Sequence, residues 1–275
     1  MAPDGEHLKV NESSEHWSLE KGYSDDELNR YPIKAIGTGY CSGLSLTLSV
    51  PKSKLEYICA GASQGFKVAI HNPGEDPRVF DDNFVLPLGQ DLTVKISPKM
   101  MKTSDSLVSY PSETRQCFFN HERHLKYFKI YTQKNCDYEG LANFTFSQCD
   151  HVKFSMPRQA DTKVCTIDDL DCYNLAENLF MTVDLVRSTS NETQHKDNAC
   201  NCLPACTSIG YDIETTQNNI KYDEYEFATS GETSEFFVSQ INIYFKEAQF
   251  STSQRSELYG LVDFLANIGG LYGKF

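Results

Sequence analysis

Four clusters in this 275-residue sequence carry residue types able to do chemistry. His121-Glu122-Arg123-His124 has the side chains of a zinc hydrolase, two imidazoles for a metal and a carboxylate to activate water. That chemistry needs histidines four apart on one helix face with the glutamate beside the first. Here the spacing is three, and the pair reads as surface histidines. Cys200, Cys202 and Cys206 offer thiolates, but structural zinc sites usually supply paired ligands two to four residues apart, twice over. No second such pair is present, which favours disulfides. Two acidic groups, Asp168, Asp169 and Asp171, then Asp223, Glu224 and Glu226, could bind cations or raise one another's pKa by crowding. The plainer reading is a solvated face. No Gly-x-Ser-x-Gly elbow, P-loop or Gly-rich dinucleotide turn occurs. The chain is therefore not read as an enzyme, and no cofactor or metal site is assigned.

The compartment follows from other residues. Ten cysteines suit an oxidising environment. Three N-glycosylation sequons agree: Asn11-Glu12-Ser13, Asn143-Phe144-Thr145 and Asn191-Glu192-Thr193. Lys and Arg total 25 against 38 Asp and Glu, a formal charge of -13. Such a surface repels phosphates and anionic lipid, excluding nucleic acid as a main partner. Met1 to Val10 has no apolar signal-peptide core, and no stretch reaches the ~18 apolar residues of a membrane helix. Leu258 to Phe275 turns apolar and Gly-rich and then stops. Both ends are expected to be truncated.

The elements that must position these residues are legible from periodicity. Residues 1–30 are polar and are expected to be poorly ordered. Leu44, Leu46, Leu48 and Val50 alternate with small polar residues, predicting a half-buried strand over Gly43 to Val50. Phe66 to His71 reads as a second strand, ended by Asn72-Pro73-Gly74. Phe84 to Ile96 contains another, and Leu125 to Tyr131, aromatic at period two, a further one. Cys136 to Phe146 and Cys172 to Val186 read as helices, the latter with Leu175, Leu179, Val183 and Val186 marking one face at helical spacing. Arg187 to Ala199 is a polar loop, and strands return around Ile241, Ile243 and Phe245. Strands flanking a helical, cysteine-rich middle indicate an α+β fold.

Several motifs in one order carry a resemblance. Cys200-Asn201-Cys202-Leu203-Pro204-Ala205-Cys206 followed by Tyr211 resembles the cysteine signature of the degenerin/epithelial sodium channel superfamily. His16-Trp17-Ser18-Leu19-Glu20 with Gly22-Tyr23, Gly65-Phe66-Lys67-Val68 with His71, Pro73 and Pro77, and Val152-Lys153-Phe154-Ser155-Met156-Pro157-Arg158 resemble blocks of its insect pickpocket branch. Arg255-Ser256-Glu257-Leu258-Tyr259-Gly260 and Phe264-Leu265-Ala266-Asn267-Ile268-Gly269-Gly270 resemble the approach to the second transmembrane helix. The resemblance spans about residues 16 to 275.

It implies a subunit of a trimeric, amiloride-sensitive, sodium-selective channel of the plasma membrane, this portion extracellular. Its partners would be sodium ions, sibling subunits in a homo- or hetero-trimer, and the membrane through spans missing here. The implied fold is a palm-type β-sheet with a helical, disulfide-rich thumb. Residues 31–257 would form a partial ectodomain of palm, knuckle and thumb, and 258–275 the wrist and start of the second membrane helix. The first span and the Gly-x-Ser filter are missing, so the chain alone is not expected to conduct. Ala266 matches the position where, in the family, small side chains pack near the closed gate, with Gly269 and Gly270 beside it. By resemblance Cys117 pairs with Cys206, Cys136 with Cys202, and Cys149 with Cys172. Gly140 and His151 stand where the family has cysteines, which removes the partners of Cys200 and Cys165; the pairing of Cys41, Cys59, Cys165 and Cys200 is left open. Residues 136 and 140 share a helix face, and 200 and 202 would share a strand face, so bridges could lie like rungs. A glycine in mid-helix and the lost bridges predict a softer thumb than its relatives'. The alternative is a secreted, disulfide-stabilised binding protein without a pore. The sequence leaves the gating stimulus open.

Overall fold

The computed structural model describes residues 17–20, 22–23, 35, 37–60, 63–189, 200–258, 265–266 and 268. In chain order the elements begin with strands β1 (Trp17–Ser18), β2 (Gly22–Tyr23) and β3 (Leu44–Pro51), helix α1 (Tyr57–Ala60), and strands β4 (Gly65–Val68), β5 (Phe84–Pro87) and β6 (Gln90–Thr103). Helices α2 (Ser112–Arg115), α3 (Gln133–Cys149) and α4 (Leu170–Thr189) follow. Strand β7 (Ser208–Asn219), helix α5 (Tyr222–Ser230) and strands β8 (Phe236–Phe245) and β9 (Thr252–Arg255) complete the fold. The architecture is α+β. The chain divides into two compact units: Met1–Pro73, Pro77–Met101 and Ile209–Ser253 form the first, and Gly74–Asp76, Lys102–Ser208 and Gln254–Phe275 the second.

A sheet in the order β3-β8-β6-β7 dominates the first unit, and β9 also pairs with β6. Strand β6 lies parallel to β8, setting Leu92 opposite Ile241 and Val94 opposite Ile243. Their period-two apolar side chains fall on one face and, with Leu86 and Ile96, form the core of this unit. Burying each of these side chains contributes about 1.5–3 kcal/mol. The alternating residues Leu92, Val94 and Ile96 lie in β6, and Phe84 to Pro87 form the separate strand β5. The chain turns at Gly89, whose φ of 71° is open to glycine without a Cβ clash, and Ser239 Oγ accepts the Gly89 N–H at 3.0 Å. Strand β3 lies antiparallel on the edge, Leu44 opposite Ile243. Leu44 and Leu46 stay exposed there, and only Leu48 of that alternating set packs against the core. Strand β4 ends at Val68, short of His71. Within residues 1–30, Trp17 pairs with Tyr23 and Ser18 with Gly22; most of that segment lies outside the described residues.

Two corrections concern the second unit. Leu125 to Tyr131 is not a strand. Its backbone donors go to side chains: the N–H groups of Lys126 and Tyr127 to the Glu139 carboxylate, and that of Tyr131 to Asn120 Oδ1. Its aromatics are divided between two clusters, Phe128 beside Tyr138 and Val152, and Tyr131 against Phe118. In α4 the buried face is Tyr173 and Ala176, with Phe180 partly buried. Leu175 and Leu179 face outward, 61% and 44% exposed, so the face their spacing marks is not the packed one; the side chains of Val183 and Val186 lie outside the described residues. Aromatic residues outweighed aliphatic spacing because Tyr173 packs with Leu141 and Ala142 of α3. Strand β7 and helix α5 carried too weak an apolar period to be foreseen.

Candidate functional site

The residues singled out by the sequence concentrate in the second unit, where three disulfides brace two capped helices. Thr132 caps α3, its hydroxyl accepting the Asn135 N–H at 3.1 Å. At the other end Asp150 takes a left-handed conformation, φ 60°, and its N–H reaches Phe146 O at 2.8 Å. Ahead of α4, Thr166 and Asp169 form a capping box: one Asp169 oxygen accepts both the Thr166 N–H and its hydroxyl, each at 2.8 Å. Those bonds, with His151 nearby, hold the Asp169 carboxyl below its usual range.

Bridges join Cys117 to Cys206, Cys136 to Cys202 and Cys149 to Cys172, with Cα separations of 5.0, 5.7 and 6.0 Å. The last ties the end of α3 to the start of α4. The other two tie Cys117, ahead of α3, and Cys136, in its first turn, to the 200–206 segment. That segment is not a strand, correcting the rung picture. Pro204 has no N–H to give a ladder. Its carbonyls are taken one by one: Cys202 O by Gln133 Nε2 at 3.0 Å, Leu203 O by the Tyr131 hydroxyl at 2.5 Å, and Pro204 O by Phe118 N–H at 2.9 Å. Burial pushes the Tyr131 phenol up to about 12, against Arg123 and aided by Asp137; it is a permanent donor.

At Gly140 a Cβ would fall on the sulfur of Cys200 and lie 3.0 Å from its Cβ. The Cys200 side chain fills the space beside Gly140. Cys165 carries a half-buried thiol. Burial raises its pKa, and Asp169 adds to that. His151 Nε2 lies 3.4 Å from Asp169 Oδ1. Cys41 is an exposed thiol, and the Cys59 side chain is outside the described residues.

Sequence reasoning missed a buried, many-bonded arginine of this unit. Arg115, 5% exposed, donates from Nε to Cys117 O at 3.1 Å, from Nη1 to Val108 O and Tyr110 O, and from Nη2 to the Glu122 carboxylate. Its guanidinium lies over Phe119, 4.6 Å from the ring centre. Burial draws the Glu122 pKa upward, but Arg115 and the Phe119 N–H outweigh it and leave the carboxyl below its usual range. Glu122 is thus committed to Arg115 and not to a metal. Nη1 of Arg255, at the end of β9, donates to Arg115 O at 3.1 Å, and Ser104 N–H reaches Arg255 O at 2.8 Å. Thr103 Oγ1 donates to Cys206 O at 2.8 Å. The strand end leading to residues 258–275 is therefore bonded to the disulfide-braced frame. An arginine and a glutamate flanking Cys117 were the available signal, but seven residues in an irregular segment fix no geometry.

The family described as Amiloride-sensitive sodium channel matches residues 10–275. The chain belongs to that family. It is 30% identical over 274 residues to Pickpocket protein 28 of Drosophila melanogaster, covering 94% of this chain and 43% of that one. To Sodium channel protein Nach of Drosophila virilis it is 27% identical, covering 67% and 45%. To Acid-sensing ion channel 2 of Homo sapiens it is 23% identical, covering 87% and 44%. The chain thus spans under half the length of these relatives. The family is one of ion channels, not enzymes.

The remaining site residues fall as follows. Asn143 is exposed on α3. Asn11, Asn191, Gly269 and Gly270 lie outside the described residues, and Ala266 is exposed. Cys202 and Cys206 are held in disulfides, which removes them as zinc ligands. Asp223 pairs with Lys52 at 2.8 Å and Glu224 with Lys221 at 3.0 Å, contacts of a solvated face. Among the described residues no helix is long and apolar enough to cross a membrane.

Proposed function

We propose that this chain is part of the extracellular domain of a subunit of a trimeric, amiloride-sensitive, sodium-selective channel of the plasma membrane, of pickpocket type. In this reading the β3-β8-β6-β7 sheet belongs to the palm and α3 with α4 form the thumb. Residues 258–275 are the wrist and the start of the second membrane helix, with Ala266, Gly269 and Gly270 beside the gate. Asn11, Asn143 and Asn191 carry glycans. Sodium ions are conducted through spans contributed with sibling subunits.

The observation that carries the reading is the set of three bridges on cysteines of the family pattern, in a chain matching the family over residues 10–275. Nested covalent braces leave the helical unit few soft modes. A displacement applied to α3 or α4 then reaches Cys206 and Arg255 through bonded contacts. Selectivity itself needs a narrow lined constriction across the membrane, and each span about 20 apolar residues.

The test is Ala266→Val in the chain joined to its two membrane-spanning helices, expressed with sibling subunits. A bulky side chain at that position holds the gate open and raises constitutive, amiloride-blockable current. Surface-expressed Ala266→Val channels with unchanged current would remove Ala266 from the gate.

A further inference from the structure

The sequon Asn143-Phe144-Thr145 lies inside α3, and its two key residues differ in exposure. Asn143 is exposed, whereas Thr145 is 0% exposed and its hydroxyl has no hydrogen-bond partner among the described residues. A shielded, unpartnered hydroxyl is destabilising, and valine offers a similar shape without that cost. The fold gives Thr145 no use for its oxygen; the sequon does. Asn143 also lines a cleft of about 220 Å³. Tyr127, Phe146 and Pro157 give it apolar surface, and Arg158, Asp161 and Thr162 give it donors and acceptors. A sugar ring has apolar C–H faces and polar hydroxyl edges, the same division of chemistry.

We propose that the glycan on Asn143 is a structural part of this unit, its first N-acetylglucosamine seated in that cleft. In the transfer, the anomeric carbon of a lipid-linked oligosaccharyl diphosphate bonds to Asn143 Nδ2. The bond from that carbon to the diphosphate oxygen breaks, the diphosphate leaves with its electron pair, and Nδ2 loses one proton. The reaction uses the Thr145 hydroxyl, which the finished helix buries, so it precedes folding of α3. Tyr127 and the 157–163 segment then close on a sugar already attached. The inference rests on the extracellular placement proposed above.

The test expresses the full chain through the secretory pathway of cells whose glycans stop at high mannose. Peptide mass mapping finds Asn143 modified in wild type and in Thr145→Ser, and unmodified in Thr145→Val. Trimming with an endoglycosidase that leaves one N-acetylglucosamine keeps the melting midpoint. Complete removal with an amidase, which converts the asparagine to aspartate, lowers it by about 3 °C, as one lost kcal/mol would; Asn143→Asp melts with that product. In Tyr127→Ala/Phe146→Ala the glycan is attached but trimmed and stripped forms melt together. The proposal is overturned by an unmodified Asn143, or by equal midpoints for trimmed and stripped wild type. An unmodified Asn143 beside a modified Asn191 sinks this inference alone. Absence of glycan from all three sequons also counts against the extracellular reading.

Discussion

Removing the bridges one at a time, by changing both cysteines of a pair to alanine, gives a sharp quantitative expectation. The sequence separations are 89, 66 and 23 residues for Cys117–Cys206, Cys136–Cys202 and Cys149–Cys172. Loop-closure entropy taken from those separations ranks the bridges, the longest contributing about 1.2 kcal/mol more than the shortest. The bridges are nested, however, and an unfolded chain keeps the ones left intact. With Cys117–Cys206 in place, Cys136 reaches Cys202 by a path back to 117, across, and on from 206, about 23 residues. The same path serves Cys117–Cys206 when Cys136–Cys202 is intact, and Cys149–Cys172 closes about 23 residues directly. All three losses are therefore expected to be equal, at about 3.4 kcal/mol each. Urea unfolding of the second unit at equilibrium, with constant slope, measures them. Losses ordered by sequence separation, or any loss below about 1 kcal/mol, would refute the nested-path reasoning.

Other expectations follow from single contacts. Glu122→Gln leaves the buried Arg115 guanidinium without its carboxylate and is expected to cost about 2–3 kcal/mol, the low side for a broken buried pair because Glu122 is partly exposed. The Glu122 pKa is lowered by folding, so its contribution is complete above the ordinary glutamate value of about 4.3 and fades as pH falls through the lower folded value. Melting curves from pH 6 downward should converge for wild type and Glu122→Gln; parallel curves would exclude the pairing. Gly140→Ala gains about 1 kcal/mol of helix propensity, yet its methyl meets the Cys200 sulfur, so a net loss of stability is expected. A net gain in a thermal melt would mean that the sulfur is not there.

How far the sequence reached depended on whether a feature was periodic or only local. Leu92, Val94 and Ile96 were placed by alternation because β6 is central, with one face in the core. The helix around Cys172 was legible from apolar spacing, though α4 turned Tyr173 and Ala176 inward rather than Leu175 and Leu179, since rings fill the space beside Leu141 that aliphatic spacing cannot weigh. Leu125 to Tyr131 read as a strand from its aromatic content, but Phe128 packs in one cluster and Leu125 and Tyr131 in another, with no ladder between them. Gly140 read as a loss of stiffness; only coordinates reveal that a sulfur occupies its missing side chain. The Arg115–Glu122–Arg255 group was illegible because its partners are carbonyls of irregular backbone, which leave no residue signature.

The most direct measurement of the central claim is whole-cell current from cells expressing this chain joined to the two membrane-spanning helices that the proposed function assigns to it, with sibling subunits present. The account predicts an inward sodium current that amiloride blocks and that disappears when external sodium is replaced by a large organic cation. Surface-expressed protein giving no sodium current in any subunit combination would contradict it.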